Sequence, residues 1–157
     1  MDLSDEVLRN LRKIIRAIDL HSKKMVSNYC VTGSQALLLR ELLESSEPIP
    51  VSVLSQRVSL SHATVTGILH RLHDKGLVTR VRDREDRRRI MVGLSEKGQS
   101  LIEGVPSLLQ ERFLLRFSNL QEWQRTQILS TLQQVALLMD AQDLDAAPVL
   151  TSGPIDT

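Results

Sequence analysis

"SHATVTGILHRLHDKG", residues 61–76, carries the clearest helical signature in the chain. Val65, Ile68, Leu69 and Leu72 recur at i, i+3, i+4 and i+7, the spacing of one buried stripe on an α-helix, and Gly76 supplies the C-terminal stop. At about 100° per residue, Ala63, Gly67, His70 and Asp74 fall opposite that stripe, flanked by Thr66 and Arg71. Just upstream, "SVLSQRV" (52–58) reads as a short helix with Ser52 as N-cap and Val53, Leu54 and Val58 facing inward, and "SLS" makes the turn between the two helices. Downstream, "LVTRVR" (77–82) and "RIMVGL" (89–94) alternate with period two and are joined by "DREDRR", the pattern of a β-hairpin with a charged tip. Ile90, Val92 and Leu94 are expected to share its inward face. A short helix, a tight turn, a second helix and a charged hairpin make a winged helix-turn-helix.

Working outward, residues 4–30 read as a helix, with Ser4 as N-cap and Leu8, Leu11, Ile15 and Ile18 at spacings of three and four. Gly33 breaks it, "SQALLLRELLESS" (34–46) forms a leucine-dense second helix, and "EPIP" ends that one. Ser95 starts a long helix that Pro106 should kink or split, and a last helix over roughly 120–140 repeats Ile128, Leu132, Val135 and Met139. The fold class expected is mainly α with a small β-hairpin wing (α+β). One domain over 4–140 is expected, with a lobe at about 48–98 and dimerisation helices at about 4–30 and 96–140. Residues 141–157 lack periodicity and are expected to form a mobile tail.

Composition bounds the function. The 157 residues are 41% hydrophobic and 25% charged, as in one soluble globular domain. "MDLSDEV" is acidic where a signal peptide would be basic, and no apolar run approaches the roughly 18 residues needed to span a bilayer, so a cytoplasmic location is expected. Cys30 stands alone, which excludes an internal disulfide and fits a reducing compartment. His70 and His73 are spaced for a metal pair but lack a third ligand, so neither a metal nor another cofactor is expected. There is no phosphate-cradling glycine loop and no nucleophile constellation, which argues against an enzyme. Single-strand and RNA modules stack bases on aromatic side chains, and residues 31–112 contain none.

Charge is concentrated. The formal net charge is +1, yet residues 71–89 carry +4, with six arginines and three acids packed into 80–94. Such local asymmetry suits a polyanion. The helix of 62–75 is narrow enough for the major groove of duplex DNA, and the hairpin can reach an adjacent minor groove. Ala63 and Gly67 permit close approach, while Ser61, His62, Thr64, Thr66 and His70 offer donors and acceptors to base edges or phosphate. Arg71 and Lys75 are expected on the DNA backbone. Arg82, Arg84, Arg87 and Arg88 form the minor-groove probe and its phosphate clamps, with Asp86 pairing to the side chain of Arg88. The alternative, a winged helix serving as a protein-interaction module, calls for apolar or aromatic anchors at the tip.

Through "SHATVTGILHRLHDKGLVTR", "DREDRRR" and "VGLSEKG", the chain resembles the MarR family of bacterial transcriptional regulators over roughly residues 5–140. The resemblance implies a homodimer with intertwined terminal helices, binding a palindromic double-stranded operator. The family's wing acid and the arginine two positions later match Asp86 and Arg88, while Glu85 stands where the family commonly has arginine. The apolar seams assign Leu8, Leu11, Ile15, Ile128, Leu132, Val135 and Met139 to the dimer interface. A ligand-responsive repressor is expected, its small-molecule effector held in a pocket bordered by Leu11, Ile15, Leu39 and Phe113.

Overall fold

A 27-residue helix, α1 (Leu3–Tyr29), opens the chain in the computed structural model, which describes residues 2–144, 146 and 149–152. It starts behind Asp2 as N-cap, to which the Ser4 hydroxyl donates, so Ser4 is the second helical residue and not the cap. Cys30 ends it in the left-handed region at φ 57°. Thr32 and Gln35 then form a reciprocal capping box that launches α2 (Gly33–Ser45).

The two-residue strand β1 (Ile49–Pro50) follows, and α3 (Val51–Val58) begins directly after Pro50. Pro50 is thus the N-cap in place of the expected Ser52. The tight turn leads to α4 (His62–Asp74), whose N-cap Ser61 accepts from the Thr64 amide at 3.1 Å. Strands β2 (Val78–Arg82) and β3 (Ile90–Leu94) form the hairpin. Val78 pairs with Leu94 and Arg82 with Ile90, and β1 adds to the far side of β3 through Ile49 opposite Val92. The sheet therefore has three antiparallel strands, one more than the hairpin read from sequence; a two-residue strand ending in proline has no periodicity to reveal it.

The core forms where the stripes of α2, α3, α4 and the sheet converge. Leu38, Leu39, Leu54, Val65, Ile68, Leu69, Leu72 and Val92 are all within 1% of complete burial. Each leucine or isoleucine so buried contributes about 1.5–3 kcal/mol. Ile90 lies at the wing end of β3 and is exposed, so Val92 carries most of the inward face assigned to three residues.

Helix α5 (Glu96–Gly104) packs back on this core through Ile102. Its start is fixed by Ser95, which accepts from the Gly98 amide and donates to the carbonyl of Gly76, the residue that ends α4 at φ +72°. A Cβ on Gly98 would lie 1.9 Å from the Leu77 carbonyl oxygen, so only glycine lets α5 approach the strand entry this closely. Val105 is extended at ψ 127°, as the residue before a proline must be, and the long helix expected after Ser95 is split there.

Residues 107–147 form a compact unit of their own, distinct from the unit of residues 1–106 with 148–157. It holds α6 (Leu109–Ser118) and α7 (Glu122–Leu138), neither of which has a buried residue. Of the expected tail, residues 145, 147–148 and 153–157 lie outside the described residues. Within it, residues 149–152 lie against α1: Val149 is 4% exposed and Ser152 is hydrogen-bonded to that helix. No helix among the described residues is long and apolar enough to cross a membrane.

Candidate nucleic-acid interface

The exposed surface of α4 is set by its buried one. With Val65, Ile68, Leu69 and Leu72 in the core, His62, Ala63, Gly67, His70 and Arg71 face solvent and Thr64 and Thr66 are half-buried. Gly67 has open space above it, so the helix backbone is accessible at mid-length. Ser61 both caps the helix and meets the Thr64 hydroxyl at 2.8 Å. The Thr66 hydroxyl donates to the His62 carbonyl at 2.8 Å. Its single hydrogen is thereby engaged, and what it offers outward is an acceptor.

The wing is held by two of its acids, Asp83 and Asp86. The Asp83 amide donates to the Arg89 carbonyl and the Arg89 amide to the Asp86 carbonyl, closing the tip. Asp83 also accepts from the Glu85 amide, and Asp86 from the Arg88 amide at 3.0 Å. This corrects the expected pairing of Asp86 with the Arg88 guanidinium: the carboxylate takes the backbone two residues on, the geometry of an Asx turn. The ion pair at the tip is instead Arg89 with Asp83, at 3.9 Å. Arg82, Arg84, Arg87 and Arg88 all remain exposed.

One recess joins the two elements. A cavity of about 240 Å³ is lined by His62 and Thr66 of α4, Ser52 of α3, and Arg80, Arg88 and Arg89 of the wing. Arg80 and Arg89 were not among the residues singled out from sequence. Pairing of Arg80 with Val92 across the hairpin places it at the wing base, a register that the period-two pattern alone leaves open.

Lys75 also has partners within the chain. Its ammonium donates to the Cys30 carbonyl at 2.8 Å and approaches Gln35 Oε1 at 3.4 Å, while its own carbonyl accepts from Lys97. It braces the C-terminal end of α4 to the α1–α2 joint, away from the helix end that carries Ser61 and His62. His70 lies 3.6 Å from Asp74 on the exposed face. Among the described residues no cluster of three His, Cys, Asp or Glu could hold a metal ion.

The terminal helices expose the seams assigned to the dimer. Leu8, Ile15, Leu132 and Met139 are each about half exposed or more, and Leu11, Ile128 and Val135 are half-buried. Leu39 is sealed in the core at 0% exposure and cannot border an open pocket, which corrects the expected quartet. Phe113 stacks on Phe117 with centroids 5.3 Å apart, in the unit of residues 107–147.

Residues 31–89, which run from the α1–α2 joint to the end of the wing tip, match the MarR family model. The organic hydroperoxide resistance transcriptional regulator of Bacillus subtilis is 30% identical over 103 residues, covering 66% of this chain and 69% of that protein. The chain belongs to the MarR family. As a member it is a winged helix-turn-helix, DNA-binding transcriptional regulator. The same fold is seen in the S. aureus MepR–DNA complex, at TM-score 0.60 and 21% identity over 83% of this chain and 96% of that one. It is also seen in the Streptomyces coelicolor regulator PcaV bound to its natural ligand, at TM-score 0.59 and 22% identity, covering 88% and 97% respectively. For this MarR-family chain, the α4 face and the wing arginines are the cationic and polar surface of the lobe.

Proposed function

We propose that the chain is a cytoplasmic, homodimeric repressor that reads a palindromic operator, with α4 in the major groove and the wing in the adjacent minor groove. The observation that carries this reading is the shared recess in which His62 and Thr66 of α4 meet Arg88 of the wing. Ala63 and Gly67 let the α4 backbone approach the base edges, and Ser61, His62, Thr64, Thr66 and His70 supply polar contacts. Arg71, Arg82, Arg84 and Arg87 meet phosphates, while Arg88 enters the minor groove on a turn that Asp86 holds through the backbone. The wing tip from Arg82 to Arg89 has no apolar side chain, which disfavours a protein-interaction wing. Nothing in these roles requires covalent chemistry, and the protein acts by binding and not as an enzyme.

The half-exposed apolar rows of α1 and α7 support dimerisation, because apolar surface of this extent on a regulator is covered by a second copy. Two lobes then occupy half-sites about one helical turn apart. PcaV was solved with its natural ligand; in this chain, an effector that shifts lobe spacing would lower operator affinity. Arg88→Ala tests the docking. Operator binding, measured by fluorescence anisotropy, should weaken by about 1–3 kcal/mol with thermal stability unchanged. Unaltered binding would remove the wing from the interface.

A further inference from the structure

Residues 149–152 carry an observation that operator binding does not absorb. They pack along the groove between the C-terminal half of α1 and the first turn of α2, where Thr151 and Ser152, together with Ser22, Val26, Thr32 and Ser34, line a remaining cavity of about 500 Å³. The Ser152 amide donates to Ser22 Oγ at 2.9 Å, the Ser152 hydroxyl donates to Asp19 at 3.1 Å, and the Thr151 and Ser22 hydroxyls are 3.3 Å apart. Ser22 is only 9% exposed, so these bonds satisfy a hydroxyl that the fold has taken from water. The other polar wall is Asp19, whose carboxyl lies below its usual range because Lys23 and then Ser152 hydrogen-bond to it.

Shape agrees with polarity. The three atoms nearest a Cβ built on Gly33 all belong to this segment: Thr151 Oγ1 at 3.3 Å, Thr151 Cβ at 3.4 Å and Val149 Cγ1 at 3.9 Å. A side chain at Gly33 would therefore press on Thr151 by a few tenths of an ångström or more, so the segment packs directly on the glycine face, and Val149 is 4% exposed there. We infer that the α1–α2 groove is a peptide-binding site whose occupant is the chain's own segment 149–152, seated as a strap across the joint. The strap is bonded to α1 at Ser22 and Asp19 and packed on α2 at Gly33, so it limits the angle between the two helices. Lys75 ties α4 to the same joint through the Cys30 carbonyl. Vacating the groove therefore alters the placement of α4, a consequence that rests on the operator-binding reading above.

The test compares the intact chain with a truncation after Leu144 and, in case truncation impairs folding, with Val149→Asp in the full-length chain. The probe is a labelled synthetic peptide of residues 146–157. It should bind both variants saturably and the intact chain at least about tenfold more weakly, because a tethered copy competes at millimolar effective concentration. Gly33→Val in the truncated chain should abolish that binding. Amide exchange over residues 19–34 should rise in both variants and fall again when peptide is added to the truncated chain. Equal peptide binding by intact and truncated chains, or unchanged exchange, overturns the inference. Operator affinity should differ by about fivefold or more between intact and truncated chains and be restored by peptide. A difference below about twofold, with peptide bound as expected, overturns the coupling to α4. Failure of every chain to bind operator would instead count against the functional reading, and the peptide results would stand apart from it.

Discussion

Thr66 illustrates how one hydrogen bond sets what a residue can read. Its hydroxyl hydrogen points back to the His62 carbonyl, so what it offers outward is an acceptor; in the proposed docking this suits the exocyclic amino group of adenine or cytosine. Thr66→Val keeps the shape and removes the acceptor. A randomised-site selection should show preference relaxed at one position of each half-site, by about 1–3 kcal/mol, and an unchanged site would exclude Thr66 from base contact. Gly98 acts on the fold alone. Gly98→Ala places a methyl against the Leu77 carbonyl, and chemical denaturation should show a loss of about 1–3 kcal/mol or more. The chain's readable residues were those with a periodic neighbourhood: Val65, Ile68, Leu69 and Leu72 are core because their spacing requires it. The partner of Asp86 was not readable, since backbone and guanidinium of Arg88 are equally close in sequence and only the turn geometry chooses between them.

Among the elements, α4 and the hairpin were legible from apolar period and turn residues, whereas β1 was hidden because two residues carry no period. Lys75 shows the limit more sharply. In sequence, a lysine at the end of a helix proposed to meet DNA reads as a phosphate contact, and only once α1 and α2 are placed does the Cys30 carbonyl appear as its partner. The brace predicts the behaviour of Lys75→Gln. Stability should fall by about 1 kcal/mol while the salt slope of operator binding is retained, since a lost phosphate contact would lower that slope by about one. Denaturation and salt titrations on one sample distinguish the two roles. The wing follows the same logic: two of its three acids, Asp83 and Asp86, are engaged in closing the tip, and Arg82, Arg84, Arg87 and Arg88 stay exposed.

At the scale of the molecule, a net charge of +1 conceals a strongly cationic surface, and the apolar rows of α1 and α7 remain uncovered in a single copy. The first property was visible in sequence as a local excess of arginine. The second was visible as seams, although no pattern within one chain identifies which seam meets a second copy. The placement of residues 149–152 was not visible at all, because it depends on a groove made by residues more than a hundred positions earlier. Whether a dimer grips duplex DNA through α4 and the wing is read out by titrating the purified protein onto a selected operator at several salt concentrations and counting chains per duplex. Two chains should bind together, at least about 10³-fold more tightly than to scrambled DNA, with log affinity falling steeply and linearly in log salt. Binding that is insensitive to salt, or that occurs as a single chain with no preference for the operator, would contradict it.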